Sequence, residues 1–207
     1  MPYTPQVSDL QKIKSEFVSL ASLIERAGIP SLMTWLDKTD FYSAPASTKY
    51  HGSWPGGLCS HSIDTYWELS RLEAAYPELD VFLTQKGLNS AESVAIVALF
   101  HDLCKVNFYK PELRNRKNEA GEWESYTGYA IEEKFRFGGH GSKSVFLLQN
   151  FIKLKPEEAV AINCHMGIGD GKDYVSEAYE QNPLAFLLHV ADEAACFLKP
   201  IDRSGEV

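Results

Sequence analysis

"SAESVAIVALFHDLCKV", residues 90–106, begins as an apolar run and ends on polar groups. Ala98, Leu99, Phe100 and Leu103 can bury a helix on nearly every face, and a helix that is apolar all round belongs inside a protein. Ser90 stands where a capping residue is expected. At the other end His101 and Asp102 are adjacent, and Lys105 follows three residues after the carboxylate. Burying such groups unpartnered costs about 2–7 kcal/mol for a neutral polar group and more for a charge. Either protein partners or a metal ion must offset that cost.

Most of the remaining chain also reads as helix. Residues 8–27 place Leu10, Ile13, Phe17, Leu20 and Ile24 at three- and four-residue steps, with Ser8 and Gln11 as a capping box and Gly28 as a stop. A short helix is expected after Pro30, through Met33, Trp35 and Leu36, and another from about Leu58 to Tyr76. Three more are expected over 141–154, 156–167 and 183–198, the second with proline at its first turn and glycine at its exit. Between Asn107 and Gly139 the helical spacing fails. A turn signal at residues 119–122 is flanked by aromatic and β-branched residues, which predicts a hairpin or irregular flap. The expectation is one all-α domain over 1–207: N-terminal helices in 1–49, a core over 50–198, and a hairpin-like insertion at 107–139.

The chain has 207 residues, enough for one well-buried domain, and its 44% hydrophobic and 23% charged composition is that of a soluble globular protein. No apolar stretch reaches the roughly 18 residues of a membrane span. The opening "MPYTPQVSDLQ" lacks the basic and apolar regions of a secretory signal. Cys59, Cys104, Cys164 and Cys196 are scattered without a C-x-x-C pair, which fits a reducing cytoplasm. The net charge of −8 favours a small anionic partner over extended nucleic acid, whose phosphates call for a basic face.

Polar groups recur at helix ends and in apolar segments. His61 follows "WPGGLCS", His101-Asp102 ends the central run, and His140 precedes a helix. His165 lies near a helix exit at Gly167, and Asp192 interrupts "LLHVADEAA". Four histidines and two aspartates from five segments can satisfy one another through metal ions. Imidazole with carboxylate suits Mn, Fe, Zn, Co or Ni rather than a thiolate-bound ion. One carboxylate can bridge two ions about 3.5–4 Å apart, an arrangement that serves phosphoryl displacement.

The ordered set His61, His101-Asp102, His140, His165 and Asp192 resembles the HD-domain metal-dependent phosphohydrolases over roughly residues 50–198. "YHGSWPGGLCSHSIDT", "FHDLCKV", "GGHGSKS", "CHMG" and "NPLAFLLHVADEAA" carry the likeness. The HD domain of bacterial 3′–5′ exoribonucleases is similar, although 207 residues leave no room for their oligonucleotide-binding domain. The resemblance implies a helical bundle around a metal site. It assigns His61, His101, Asp102 and Asp192 to a first ion, and His140 and His165 to a second, with Asp102 bridging. Cys104 stands where that family usually has glycine.

The resemblance further implies a cytoplasmic phosphohydrolase acting on a nucleotide or other small phosphate ester through a metal-activated hydroxide, with one or two divalent transition-metal ions. Asp102 and Lys105 are the expected catalytic residues, with Lys105 against substrate phosphate rather than only answering a helix dipole. His51 either reaches the pocket mouth or caps the loop before Trp54. Arg114 and Arg116, interleaved with aromatics in the insertion, either hold substrate or are solvated. His189, three residues before Asp192, either supports the ligands or, as expected, is a packed core histidine, and the cysteines are expected to be small buried residues rather than ligands. Three alternatives stay open: a di-iron HD-domain oxygenase, a stand-alone 3′–5′ exonuclease, and a non-catalytic nucleic-acid-binding module.

Overall fold

In a computed structural model of the chain, the structure describes residues 5–118, 120–168 and 173–198. The first four residues of the opening, Glu119 in the expected turn, and the ends of the expected 1–207 domain lie outside them. Nine α-helices are formed among the described residues: α1 Val7–Ala21, α2 Ile29–Leu36, α3 Gly57–Ala75, α4 Glu78–Gln85, α5 Ser90–Phe100, α6 His140–Leu148, α7 Pro156–Cys164, α8 Val175–Gln181 and α9 Pro183–Phe197. The strands are β1, Tyr109–Lys117, and β2, Trp123–Ile131. The protein is therefore mostly helical, with one two-stranded antiparallel sheet among the described residues. No helix among them is long and apolar enough to cross a membrane.

Helix α5 is the axis. Every residue from Val94 to Phe100 is buried, because α1, α3, α4, α7 and α9 all pack against it. Its start is capped by Asn89, whose side chain accepts from the Glu92 amide at 3.0 Å, so the cap lies one residue before Ser90. At its far end Phe100 meets Phe17 of α1 edge-on at 5.8 Å, and Phe17 meets Phe41 at 4.9 Å. Such pairs add about 0.5–1.5 kcal/mol beyond the area they bury.

Several boundaries differ from those the spacing predicts. Helix α1 begins at Val7 behind Gln6, with Asp9 accepting from the Gln6 amide at 2.9 Å, in place of the Ser8 and Gln11 box. It ends at Ala21, and Gly28 instead opens α2 in the left-handed region, φ 97°. A side chain there would meet the Phe151 carbonyl, so the apolar periodicity runs on past a turn that the backbone needs. Helix α6 stops at Leu148 rather than 154, where the Asn150 side chain donates back to the Phe146 carbonyl at 2.8 Å. Helices α4 and α8 are short and carry no long stripe. The insertion is a true hairpin, in register from Tyr109↔Ile131 to Lys117↔Trp123. Its base is fixed by Tyr109, donating to the Ala46 carbonyl at 3.2 Å, and by buried Phe108. Toward its tip it exposes Leu113 and Trp123.

One polar network lies within this frame. Glu158 on α7 is fully buried and receives Arg26 at 2.5 Å, Ser93 of α5 at 2.8 Å and the Lys155 amide at 2.8 Å. Arg26 also donates to Glu92 at 2.6 Å. The guanidinium thus ties the α1–α2 connection to the first turns of α5 and α7. Removing one partner leaves a buried charge uncompensated, a loss of about 3–5 kcal/mol. Arg26→Met should therefore lower the stability read from urea unfolding by about that much, and adding Glu158→Gln should restore part of it. Equal losses in the single and double variants would show that the pair is not coupled.

Candidate metal centre

The site is assembled at helix ends. His101 caps the C-terminus of α5, and its Nδ1 lies 2.9 Å from the Ala98 carbonyl. His165 caps α7 in the same manner, with Nδ1 2.6 Å from the Ile162 carbonyl. The last carbonyls of a helix lack intrahelical donors, so each imidazole gives its Nδ1 proton to one of them. Each Nε2 is then left with a bare lone pair, the tautomer that a metal ligand needs. His61 comes from inside α3 and Asp192 from α9, whose close packing against each other brings the two together.

His61, His101 and Asp192 form one donor group, and Asp102 borders both of its histidines. His61 Nε2 is 3.2 Å from His101 Nε2, 3.0 Å from Asp192 Oδ1 and 3.7 Å from Asp102 Oδ2. His101 Nε2 is 3.5 Å from Asp102 Oδ2 and 3.7 Å from Asp192 Oδ1. Donors bound at about 2.1 Å to one ion lie about 3.0 Å apart at right angles and about 3.4 Å apart at the tetrahedral angle. The observed edges cluster around those lengths. A second group shares one of these histidines and one carboxylate: His101, Asp102 and His165 also place donor atoms within 4.8 Å of one another. Asp102 turns its Oδ2 toward the first group and its Oδ1 toward His165 Nε2, 3.7 Å away. That Nε2 is buried and has no hydrogen-bond partner among the described residues. An unsatisfied imidazole nitrogen beside a carboxylate is what a cation would complete, and the donors fit one.

The electrostatics are those of charges enclosed together. Burial alone would raise the Asp102 carboxyl, but Lys105, His101 and His165 hold it well below the usual range. Burial likewise opposes ionisation of Asp192, and His61 and His101 overcome it. Burial pushes His101 down to about 4. For His165 burial acts the same way, but Asp102 reverses the sign and raises it. Lys105 Nζ sits 2.6 Å from Asp102 Oδ2. Burial disfavours its charge, and Asp102 more than restores it.

No family model, curated protein or solved structure matches the chain.

Of the six expected ligands, five come together in the two donor groups. His140, at the first turn of α6, belongs to neither. Its Nδ1 lies 3.3 Å from Cys104 Sγ, which in turn is 3.8 Å from Asp102 Oδ1, so the thiol stands between them. His51 lies over His61, ring centres 4.9 Å apart, and burial lowers it to about 4. Arg114 is engaged within the insertion and at its base: it donates to Glu112 at 2.6 Å, to the Tyr129 carbonyl at 2.5 Å and to the Thr48 carbonyl at 3.3 Å. Arg116 pairs with Glu124 across the strands at 2.6 Å and lies over the Tyr126 ring. Both arginines are thus engaged by neighbouring groups of the insertion and its base.

Several supporting groups escaped the sequence. His189, expected in the core, is half-buried, and its Nδ1 meets the His165 carbonyl at 2.8 Å. Tyr179 donates to the Cys164 carbonyl at 3.0 Å. Together they clamp the turn that carries His165. Ser144 accepts from the Cys104 amide at 3.0 Å, fixing the turn after Asp102. Gly141 lets α6 approach the end of α7, where a side chain would meet the Ile162 and Asn163 carbonyls. The visible signal for any of these was the three-residue step from His189 to Asp192 on one helix.

Two lowered histidines give the metal-free protein an acid-sensitive fold. His101 and His51 titrate near 4 when folded, against about 6.5 when unfolded, so the unfolded chain binds more protons between those values. Stability should fall as pH drops from about 6.5 toward 4. His165, raised, acts in the opposite sense: its contribution is present below about 6.5 and is lost as pH rises through its folded value. The two imidazoles lowered to about 4 set the expected direction between pH 7 and pH 5. Urea unfolding of chelator-treated protein at pH 7 and pH 5 should give a lower midpoint at pH 5. An equal or higher midpoint there would contradict the burial of two neutral imidazoles.

Proposed function

We propose that this chain is a metal-dependent phosphohydrolase of the HD-domain superfamily, acting on a nucleotide or another small phosphate ester. The observation that carries it is the convergence of His61, His101, Asp102 and Asp192 at ligand-to-ligand spacing, with His165 Nε2 bare beside Asp102. The helical frame and the order of these residues in the chain are consistent with that family. A divalent ion bound here supplies Lewis-acid stabilisation of a phosphoryl oxygen and lowers the pKa of water to about 7.

The chain's own residues have distinct roles in this assignment. His61, His101, Asp102 and Asp192 would hold the first ion. Asp102 Oδ1 and His165 offer donors for a second, with His140 at its margin. The hydrogen bonds to the Ala98 and Ile162 carbonyls keep two imidazoles aimed before anything binds, so no reorganisation is needed at the moment of reaction. Lys105 stays charged against Asp102. An ammonium has three donors, and one is engaged by Asp102, which leaves N–H groups for a phosphoryl oxygen.

Metal analysis of the purified protein, followed by a panel of phosphomonoesters and phosphodiesters under air and under argon, tests the proposal. Turnover should require the ion and be indifferent to oxygen. Oxygen-dependent turnover with bound iron would favour an oxygenase instead. Asp102→Ala should lose metal and turnover together. Lys105→Ala should keep its metal and lose about 1.5–3 kcal/mol of charge-assisted contact, which is about 10–100-fold in rate at 1.36 kcal/mol per factor of ten. An active, metal-free Asp102→Ala protein would overturn the assignment.

A further inference from the structure

His51 and Cys196 have no part in the scheme above, yet they meet beside it. His51 lies in the loop before α3, and Cys196 lies one turn beyond Asp192 on α9. Cys196 Sγ is 3.3 Å from His51 Nε2 and 3.6 Å from Asp192 Oδ1. One donor atom from each of His51, His61 and Cys196 lies within 4.8 Å of the other two.

A thiol and an imidazole at this distance form a hydrogen bond, which needs no third partner. Here a second imidazole and a carboxylate border the same sulfur. Bonds of about 2.3 Å to sulfur and about 2.0–2.2 Å to nitrogen or oxygen place such donors about 3.1–3.7 Å apart. Both sulfur distances fall in that interval. Sulfur with imidazole selects thiophilic ions, whereas the main donors are imidazole and carboxylate alone. Cys196 is half-buried, while Cys59, Cys104 and Cys164 are buried, so an ion reaches this sulfur without opening the core.

We propose that His51, Cys196 and His61 form a site for a thiophilic divalent cation such as Zn2+ or Cd2+, bordered by Asp192. On binding, the S–H bond breaks, the sulfur–metal bond forms and the proton leaves to solvent. The site shares His61 with the main donor group, so an ion here competes with one there for that imidazole; the test below reads the Cys196 sulfur and not hydrolase activity, so the two proposals can still fail separately.

The test is titration of the full, metal-free chain with Cd2+ alone, following thiolate-to-metal charge-transfer absorbance in the near ultraviolet. Wild type should develop the band, Cys196→Ser should abolish it, and Cys104→Ser should keep it. His51→Ala should weaken half-saturation by at least roughly tenfold, the smallest loss usual even for groups that only support a ligand. In wild type, Cd2+ should also slow alkylation of Cys196 as read by peptide mass mapping, a measurement that needs no variant. A band that survives Cys196→Ser, or no band together with unprotected alkylation, would overturn the proposal.

Discussion

The carbonyls at the ends of two helices govern the centre. Ala98 and Ile162 stand where a helix runs out of amide donors, and each takes the Nδ1 proton of the histidine three residues on. That bond satisfies the helix end, fixes the ring and leaves Nε2 bare. Because the same device is used at both α5 and α7, two imidazoles turn their Nε2 atoms toward Asp102. Everything else at the site answers the resulting problem of enclosing two carboxylates among buried rings. Lys105 answers part of it, and a cation would answer the rest.

The surrounding frame keeps these ends in place. Helix α5 can end in polar groups at the centre of the protein because five helices enclose its apolar length. The Arg26–Glu158–Glu92 network joins α5 to α7 at their opposite ends. Gly141 closes the gap between α6 and α7 near His165. Tyr179 and His189 hold the carbonyls of the turn that follows.

Much of this was legible in the sequence, because buried polar groups stand out against apolar surroundings. His101, Asp102, His165 and Asp192 could be picked out by position, and the break in helical spacing marked the hairpin. What escaped depends on partners distant in the chain. Glu158 looks like an ordinary solvated acid in a first turn, and its burial rests on partners distant in the chain, Arg26 at 132 residues and Ser93 at 65. The starts of α1 and α5 lie one or two residues earlier than expected: asparagine competes with serine for the cap at Asn89, and at Gln6 the Asp9 carboxylate takes the backbone N–H. His140 has the spacing of a ligand, but its place behind Cys104 follows from how α6 docks.

The donors also set an order of assembly. They are spread from His61 to Asp192, so the centre is built almost wholly from contacts of long sequence separation. Such contacts form late, because the chain must close large loops before they yield any gain. During synthesis, α5 emerges about ninety residues before α9 can bring Asp192 to it, on the order of several seconds at about 5–20 residues per second. Through that interval the polar end of α5 has no complete set of partners, since α1, α3 and α4 can already cover its apolar length but α7 and α9 have yet to bring His165 and Asp192.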